Sequence, residues 1–147
     1  MTKVPSFYLY NIHTTGKIDI PDNILSIDRY AFEYCFGLTE IIIPDSVTSI
    51  GNGAFTCTDI TTITIPNTVA VIHRELCLSC DKLIHVVIGS SVTIIDDAAF
   101  RGCHSLVDIM IPDSITAIGR GAFAGCIALK EITLGKGLIS LKDEAFT

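Results

Sequence analysis

The chain has no long run of apolar residues, although hydrophobic residues make up 49% of its 147 positions. A helix that crosses a bilayer needs about 20 predominantly apolar residues in succession. The uncharged stretch 60–72 is interrupted by four threonines, an asparagine and Pro66. The sequence therefore predicts no insertion into a membrane.

Positive charge is also scarce, with 10 lysine and arginine residues against 16 aspartate and glutamate residues and a net charge of −6. A protein that binds the nucleic-acid backbone needs a concentrated basic face, so nucleic acid is not an expected partner. The first ten residues lack the apolar core and the small-residue cleavage site of a signal peptide. As it stands, the sequence predicts a cytoplasmic protein.

The main feature of the sequence is an internal repeat. The segment 41–55 returns with small changes at 109–123. When each coil is taken to begin after an Ile-x-Ile or related pattern, successive coils start 23, 22, 23, 23 and 23 residues apart. A fixed period of this length indicates a solenoid in which each coil stacks on its neighbours. The coils start at Pro21, Pro44, Pro66, Gly89, Pro112 and Gly135.

Aligned on these starts, the coils show columns of like residues, which we expect to form ladders of core side chains. The twelfth position is a phenylalanine column in which Cys77 is the exception; its members are Phe32, Phe55, Cys77, Phe100, Phe123 and Phe146. A cysteine column also appears if the residue missing from the second coil lies between Phe55 and Cys57. That column consists of Cys35, Cys57, Cys80, Cys103 and Cys126.

Within a coil, the β-branched segment 38–43 predicts a short strand that Pro44 ends. Residues 47–50 predict a second short strand, 51–53 a glycine turn, and 54–57 a tight turn or a single helical turn. We expect one domain, with residues 1–20 as an N-terminal cap and half coil and residues 21–147 as the solenoid.

The column pattern Ile-Pro-x-Ser-Val-Thr-x-Ile-Gly-x-x-Ala-Phe-x-x-Cys-x-x-Leu-x-x-Ile-x-Ile resembles the BspA-like (treponemal-type) leucine-rich repeat family over residues 18–146. The resemblance implies a curved, right-handed, β-rich leucine-rich-repeat solenoid with short parallel strands. It also implies non-enzymatic protein binding by surface proteins of bacteria and protists that attach to host or matrix proteins. A surface or secreted location follows from the resemblance, whereas the N-terminus by itself predicts the cytoplasm.

Cys77 and Cys80 form a C-x-x-C motif, which is found in redox pairs and in zinc half-sites. No second C-x-x-C completes a zinc site. Both cysteines fall in core columns, so we interpret them as buried thiols and expect the column cysteines to remain reduced. A thiol enzyme built on this pair is the least favoured of three hypotheses.

His85 and Asp108 are the best of the remaining candidates for acid–base or metal chemistry, because they share one outward column in adjacent coils. No third ligand accompanies them, and we interpret the column as solvated surface. His13, His73 and His104 have no partner that the sequence identifies. No Ser/His/Asp set, glycine-rich phosphate loop or carboxylate pair is found, so the sequence predicts no enzyme, cofactor or metal site.

The predicted partner-binding surface is the outward face of the main strands, which would be the concave face of the solenoid. A half-exposed strand is expected to place polar residues outward, yet three of five residues in one outward column are apolar. Such a stripe beside polar residues is typical of interaction surfaces, although strand propensity alone also explains it. The stripe is Ile42, Thr64, Val87, Met110 and Thr133, and the column beside it is Glu40, Thr62, His85, Asp108 and Glu131.

The second hypothesis is self-assembly. Because the sequence ends at Thr147, one residue after Phe146, the last coil is expected to leave an unpaired strand edge and exposed core. Copies would then associate through the C-terminal end, as an oligomer or as part of a longer solenoid. The favoured hypothesis remains binding of a protein partner on the strand face.

Overall fold

The structure, a computed structural model, describes residues 2–11, 13 and 16–147. These residues form short parallel strands joined by turns and contain no helix. In chain order the strands are β1 (Lys3–Val4), β2 (Gly16–Asp19), β3 (Ser26–Ile27), β4 (Leu38–Ile42), β5 (Ser49–Ile50), β6 (Thr62–Ile65), β7 (Val71–Ile72), β8 (His85–Ile88), β9 (Ile94–Ile95), β10 (Asp108–Ile111), β11 (Ala117–Ile118), β12 (Glu131–Leu134) and β13 (Ser140–Leu141).

The strands stack in two rows, as the 23-residue period predicts. The even-numbered strands form the first row and pair in register, for example Ile63 with Val86 and Ile109 with Ile132. The odd-numbered, two-residue strands form the second row. The predicted solenoid of about six turns is therefore confirmed. The strand predicted at 38–43 ends one residue early, the strand predicted at 47–50 shortens to β5, and residues 54–57 form turns.

The core lies between the two rows and is made of the repeated columns. Side chains of β6, β8 and β10 alternate between exposed and buried along each strand. Phenylalanine rings of adjacent coils stack, with centroids 5.6 Å apart for Phe32 and Phe55 and 5.4 Å apart for Phe100 and Phe123. Cys77 occupies the same column and is fully buried, so the stack of rings is interrupted in the third coil.

The predicted place of Cys57 in the cysteine column is wrong. Thr58 occupies that column: it is buried, three residues after Phe55, and its Oγ1 lies 3.4 Å from Cys80 Sγ. Cys57 is only half-buried and has a φ of 55°, in the turn column where Gly102 and Gly125 also have positive φ. The residue missing from the second coil therefore lies between Thr58 and Ile60.

Glycine at a coil start permits close contact with the preceding coil. A Cβ on Gly89 would lie 2.5 Å from the carbonyl oxygen of Pro66, and one on Gly135 would lie 2.5 Å from that of Pro112. The amide after each glycine donates to the preceding coil, Ser90 N–H to Asn67 Oδ1 and Lys136 N–H to Asp113 Oδ1, both at 2.7 Å. We call each such pair of interactions a glycine–Asx contact.

The first row is divided into two sheets between β8 and β10, although a proline at the start of the next coil does not by itself prevent pairing, since β2 and β4 pair at four positions before Pro44. β2, β4, β6 and β8 form one sheet and β10 and β12 form another, with no strand pairing between β8 and β10 in the described part of the chain. The pairs that end in a glycine–Asx contact, β6 with β8 and β10 with β12, each pair four residues. The pair before Pro66, β4 with β6, aligns only Glu40 with Thr62.

The described N-terminal residues occupy positions that correspond to those of residues in the later coils. β1 pairs with β3, and Leu9 N–H donates to the carbonyl oxygen of Ala31 at 3.0 Å. The ring of Tyr8 lies 6.3 Å from that of Phe32, at the start of the phenylalanine column. Met1, Ile12, Thr14 and Thr15, which belong to the predicted cap 1–20, lie outside the described residues.

Candidate functional site

The candidate site is the outward surface of the first row, which we call the strand face. Because side chains alternate along a strand, the inward β-branched pair of each coil leaves the residue between them pointing to solvent. Val87 is 57% exposed and Met110 is 70% exposed. All ten residues of the two predicted outward columns are exposed: Glu40, Ile42, Thr62, Thr64, His85, Val87, Asp108, Met110, Glu131 and Thr133.

Strand register brings these residues together in two groups. Thr62 aligns with His85 and Thr64 with Val87 in one sheet. Asp108 aligns with Glu131 and Met110 with Thr133 in the other. The two groups meet where β8 and β10 lie side by side without pairing. The strand face is therefore two paired surfaces with a discontinuity between β8 and β10.

An apolar cleft occupies that discontinuity. Its volume is about 240 Å³ and it is lined by Val86, Val87, Ile88, Met110 and Pro112. We call these five residues the cleft. A shallower depression of about 170 Å³ adjoins it over Asp108, Met110, Glu131 and Thr133. Met110 belongs to both, so an apolar recess and two carboxylates lie next to each other on the strand face.

Charge is distributed unevenly over the strand face. At its N-terminal end, Lys17 Nζ lies 3.1 Å from Asp19 Oδ1 and 3.6 Å from Glu40 Oε1. The hydrogen bond and charge of Asp19, with the charge of Glu40, raise the pKa of Lys17. At the other end, the only ion-pair partner of Asp108 among the described residues is His85, whose Nδ1 lies 3.8 Å from Asp108 Oδ2. Glu131 forms no ion pair with any described residue.

The C-x-x-C motif lies in the core, as predicted. Cys77 and Cys80 are fully buried, and Cys80 Sγ donates to the carbonyl oxygen of Phe55 at 3.0 Å. Burial raises the pKa of Cys77 well above the ordinary thiol value. Although burial alone would raise it, the pKa of Cys80 is lowered by hydrogen bonds from Cys77 and Thr58. Both thiols are nevertheless fully buried and are therefore inaccessible to a substrate or metal ion in solution.

The remaining histidines do not assemble a site. His104 Nδ1 lies 3.0 Å from Asp81 Oδ1, a partner that sequence reasoning missed although the two residues share a turn column in adjacent coils. The ring of His13 lies 6.0 Å from that of Phe36. The described residues contain no group of three or more histidine, cysteine, aspartate or glutamate residues able to hold a metal ion. A search of the same residues for a helix able to cross a membrane finds none.

The C-terminal end exposes residues whose counterparts in earlier coils are core. Leu134 is 48% exposed and Leu141 is 51% exposed, whereas Ile111 and Ile118 in the same columns are buried. The strands β12 and β13 are also the last strands of their sheets. This end therefore presents both apolar side chains and a strand edge.

Sequence reasoning found the residues of the strand face but missed the cleft. The available signal is a pair of residues: glycine at the start of a coil together with Asx at the second position of the preceding coil. Gly89 follows a coil with Asn67 and Gly135 follows one with Asp113, whereas Pro112 follows a coil with Ser90.

Parallel coils of about 23 residues with one exposed strand row define a leucine-rich-repeat solenoid. The chain belongs to the BspA-type leucine-rich repeat family: the sequence profile described as BspA type Leucine rich repeat region matches it in six copies over residues 1–107 and 93–147. No curated protein matches the chain.

Solved structures of bacterial repeat proteins resemble the chain. A leucine rich cell surface protein from Faecalibacterium prausnitzii is 35% identical with a TM-score of 0.77, and the match covers 80% of this chain and 31% of that protein. The chain thus spans about a third of that relative.

Two more distant structures share the fold alone. The pneumococcal vaccine antigen PcpA is 21% identical, with a TM-score of 0.74, over 92% of this chain and 36% of that protein. The T. pallidum leucine rich repeat protein is also 21% identical, with a TM-score of 0.60, over 95% of this chain and 66% of that one.

Proposed function

We propose that this chain is a non-catalytic module that binds a protein partner on its strand face and acts at a cell surface. The observation that carries the proposal is the exposure of Ile42, Val87 and Met110 in one column of an otherwise regular solenoid. Large apolar side chains that face water beside polar residues are typical of protein interaction sites. The buried C-x-x-C motif and the open strand face favour binding over catalysis.

The surface location is supported by the printed description of the Faecalibacterium relative as a cell surface protein. In a surface protein, an outward strand row offers a broad and rigid area on which a partner can dock without rearrangement of the backbone. Rigid elements position a binding site more accurately than loops do.

Binding to a panel of purified extracellular matrix proteins and to cultured epithelial cells tests this function. We expect Val87→Asp and Met110→Asp each to weaken binding by at least about tenfold, as for buried interface residues. The matched control is Ile139→Asp, which changes a side chain that is 85% exposed but lies outside the strand face. Circular dichroism should be the same for all four proteins. Binding that survives both strand-face substitutions, or that Ile139→Asp reduces equally, contradicts the proposal.

A second candidate function is assembly of copies through the C-terminal end. The exposure of Leu134 and Leu141 beside the free edges of β12 and β13 favours it, because unpaired edges with apolar side chains are templates for association. Light scattering during size exclusion tests this idea. A dimer or polymer that is lost when residues after Gly135 are deleted supports assembly, and a monomer at high concentration contradicts it.

A further inference from the structure

We propose that the cleft is the anchor point of the strand face and receives a large apolar side chain from an extended protein segment that also carries lysine or arginine. This inference rests on the proposed function and specifies its partner. It identifies the strands β8, β10 and β12 as the part of the strand face that selects the ligand.

The cleft lies where the glycine–Asx contact, which joins two other pairs of neighbouring coils, is absent. Pro112 begins the fifth coil, where Gly89 and Gly135 begin coils that approach their neighbours closely. Ser90 stands where Asn67 and Asp113 accept an amide, and its hydroxyl donates back to Asn67 Oδ1 at 3.1 Å. No glycine–Asx contact therefore joins the fourth and fifth coils.

A buried hydroxyl supports the same explanation. Ser46 Oγ and Thr68 Oγ1 donate to carbonyl oxygens of the preceding coil, at 2.7 Å and 2.6 Å. Ser114 is at the equivalent position of the fifth coil, and its buried Oγ has no hydrogen-bond partner among the described residues. The Ser114 hydroxyl thus lacks the bond to the preceding coil that Ser46 and Thr68 make, and the recess between β8 and β10 lies beside this turn.

The size and lining of the cleft determine what can enter. Its volume of about 240 Å³ is below the roughly 300–1,000 Å³ of pockets that enclose small-molecule ligands. Val87 and Met110 line it together with the inward Val86 and Ile88. One aliphatic or aromatic side chain fits this recess better than a cofactor does, and anchoring of a single side chain in an apolar pocket is how binding hot spots commonly form.

The negative charge beside the cleft favours a partner that carries a basic residue near this apolar side chain. Asp108 and Glu131 are aligned across β10 and β12 beside the cleft, and neither has a lysine or arginine within ion-pair distance among the described residues. A lysine or arginine of the partner would form ion pairs with the two carboxylates at this rim of the cleft. Exposed ion pairs contribute little to affinity individually, so their main effect is on the rate and selectivity of association. The net charge of −6 makes a second copy of the chain a poor match for the same rim.

A random seven-residue peptide library displayed on phage tests the inference. The wild-type chain is the bait, and the double variant Ser90→Asp with Pro112→Gly serves for counter-selection because it is designed to build the missing glycine–Asx contact and close the cleft. We expect selected peptides to carry a large apolar residue within three positions of lysine or arginine.

The affinities of individual selected peptides for variants of the chain then separate the contribution of the apolar side chain from that of the basic residue. Val87→Asp should weaken binding by at least about tenfold, and it remains informative if the closing variant does not fold. Asp108→Asn with Glu131→Gln should weaken binding about two- to thirtyfold, the effect of two exposed ion pairs, and should reduce its dependence on salt. The control Ile139→Asp should leave the affinity unchanged.

The outcomes distinguish the inference from the function on which it rests. Peptides that lack basic residues, or that bind the cleft-closed variant as well as wild type, overturn the inference. If such peptides still depend on Ile42 or Thr64, the strand face remains the binding surface. Selected peptides whose affinity is unchanged by every substitution on the strand face count against both the inference and the proposed function. A library that yields no specific binder does the same.

Discussion

Thr58 Oγ1 donates to the carbonyl oxygen of Phe55 at 3.0 Å and lies 3.4 Å from Cys80 Sγ, in the column where the neighbouring coils place a cysteine. The column is thus defined by a small side chain that can donate a hydrogen bond. Cysteines of the column donate instead to the preceding coil, as Cys103 Sγ does to the carbonyl oxygen of Cys77 and Cys126 Sγ to that of Phe100, both at 3.2 Å. Each donor binds a turn carbonyl that water cannot reach.

Thr58→Val is expected to lower the free energy of unfolding by about 1 kcal/mol, because it removes one of the two donors to the carbonyl oxygen of Phe55, which still accepts from Cys80 Sγ. Urea denaturation followed by circular dichroism measures the effect. The control is Thr116→Val, in which the threonine is exposed although its Oγ1 also donates to the preceding coil, at 3.2 Å. A change below about 0.5 kcal/mol at both sites would show that the column requires only the size of the side chain.

The half-buried position of Cys57 predicts that it is the first thiol to be alkylated in the folded protein. Cys77, Cys80 and Cys103 are fully buried, and burial protects a thiol from reagents. Burial also raises the pKa of Cys57, so labelling by iodoacetamide should be slow at pH 7 and should speed up as the pH rises.

Mass spectrometry after brief labelling identifies the modified residue, and Cys57→Ser should remove the fast phase without changing the rest of the pattern. Selective early labelling of Cys77 or Cys80 would contradict the buried placement of the C-x-x-C motif. It would also revive the thiol-enzyme hypothesis.

Gly89→Ala is expected to destabilise the protein by about 1–3 kcal/mol, the usual cost of forcing atoms into a packed site. The new Cβ would lie 2.5 Å from the carbonyl oxygen of Pro66 and would push apart the coils that pair through β6 and β8. The control is Pro112→Ala, which adds no atom at the corresponding position of the next coil. Thermal unfolding of both variants gives the comparison, and equal midpoints would contradict the close-contact explanation of paired coils.

The sequence predicts the fold well because every coil carries the same pattern of buried and exposed residues. A column such as Phe55, Phe100 and Phe123 appears in the sequence as a fixed spacing and in the structure as stacked rings. The exposed column through Val87 and Met110 follows equally directly from alternation along a strand. The family and its short parallel strands could therefore be inferred without coordinates.

Departures from the repeat are harder to predict because they depend on distances between coils. From spacing alone, the gap in the second coil could lie on either side of Cys57. The burial of Thr58 shows that the gap lies after Thr58. The cleft depends on Pro112 and Ser90, which look like ordinary variation in a turn. Their effect becomes visible only when the separation of β8 and β10 is compared with that of strands joined by glycine.

The thiols also predict how stability changes in alkaline solution. Burial raises the pKa of Cys126 from an ordinary value of 9.0 to about 11, and burial raises the pKa of Cys103 as well. Above pH 9 the unfolded chain loses these protons while the folded chain keeps them, so the unfolded state binds fewer protons. The free energy of unfolding must then fall as the pH rises from 9 to 11, and this contribution should be constant below about pH 8.

Urea denaturation at pH 8, 9 and 10 in the presence of a reductant measures this slope. Cys126→Ser, whose hydroxyl does not titrate in this range, should make the fall shallower while retaining the bond to the carbonyl oxygen of Phe100. Equal slopes for the variant and the wild type would mean that Cys126 ionises equally readily in both states. Since its burial depends on the fifth and sixth coils closing over it, such a result would also show that those coils are open in solution.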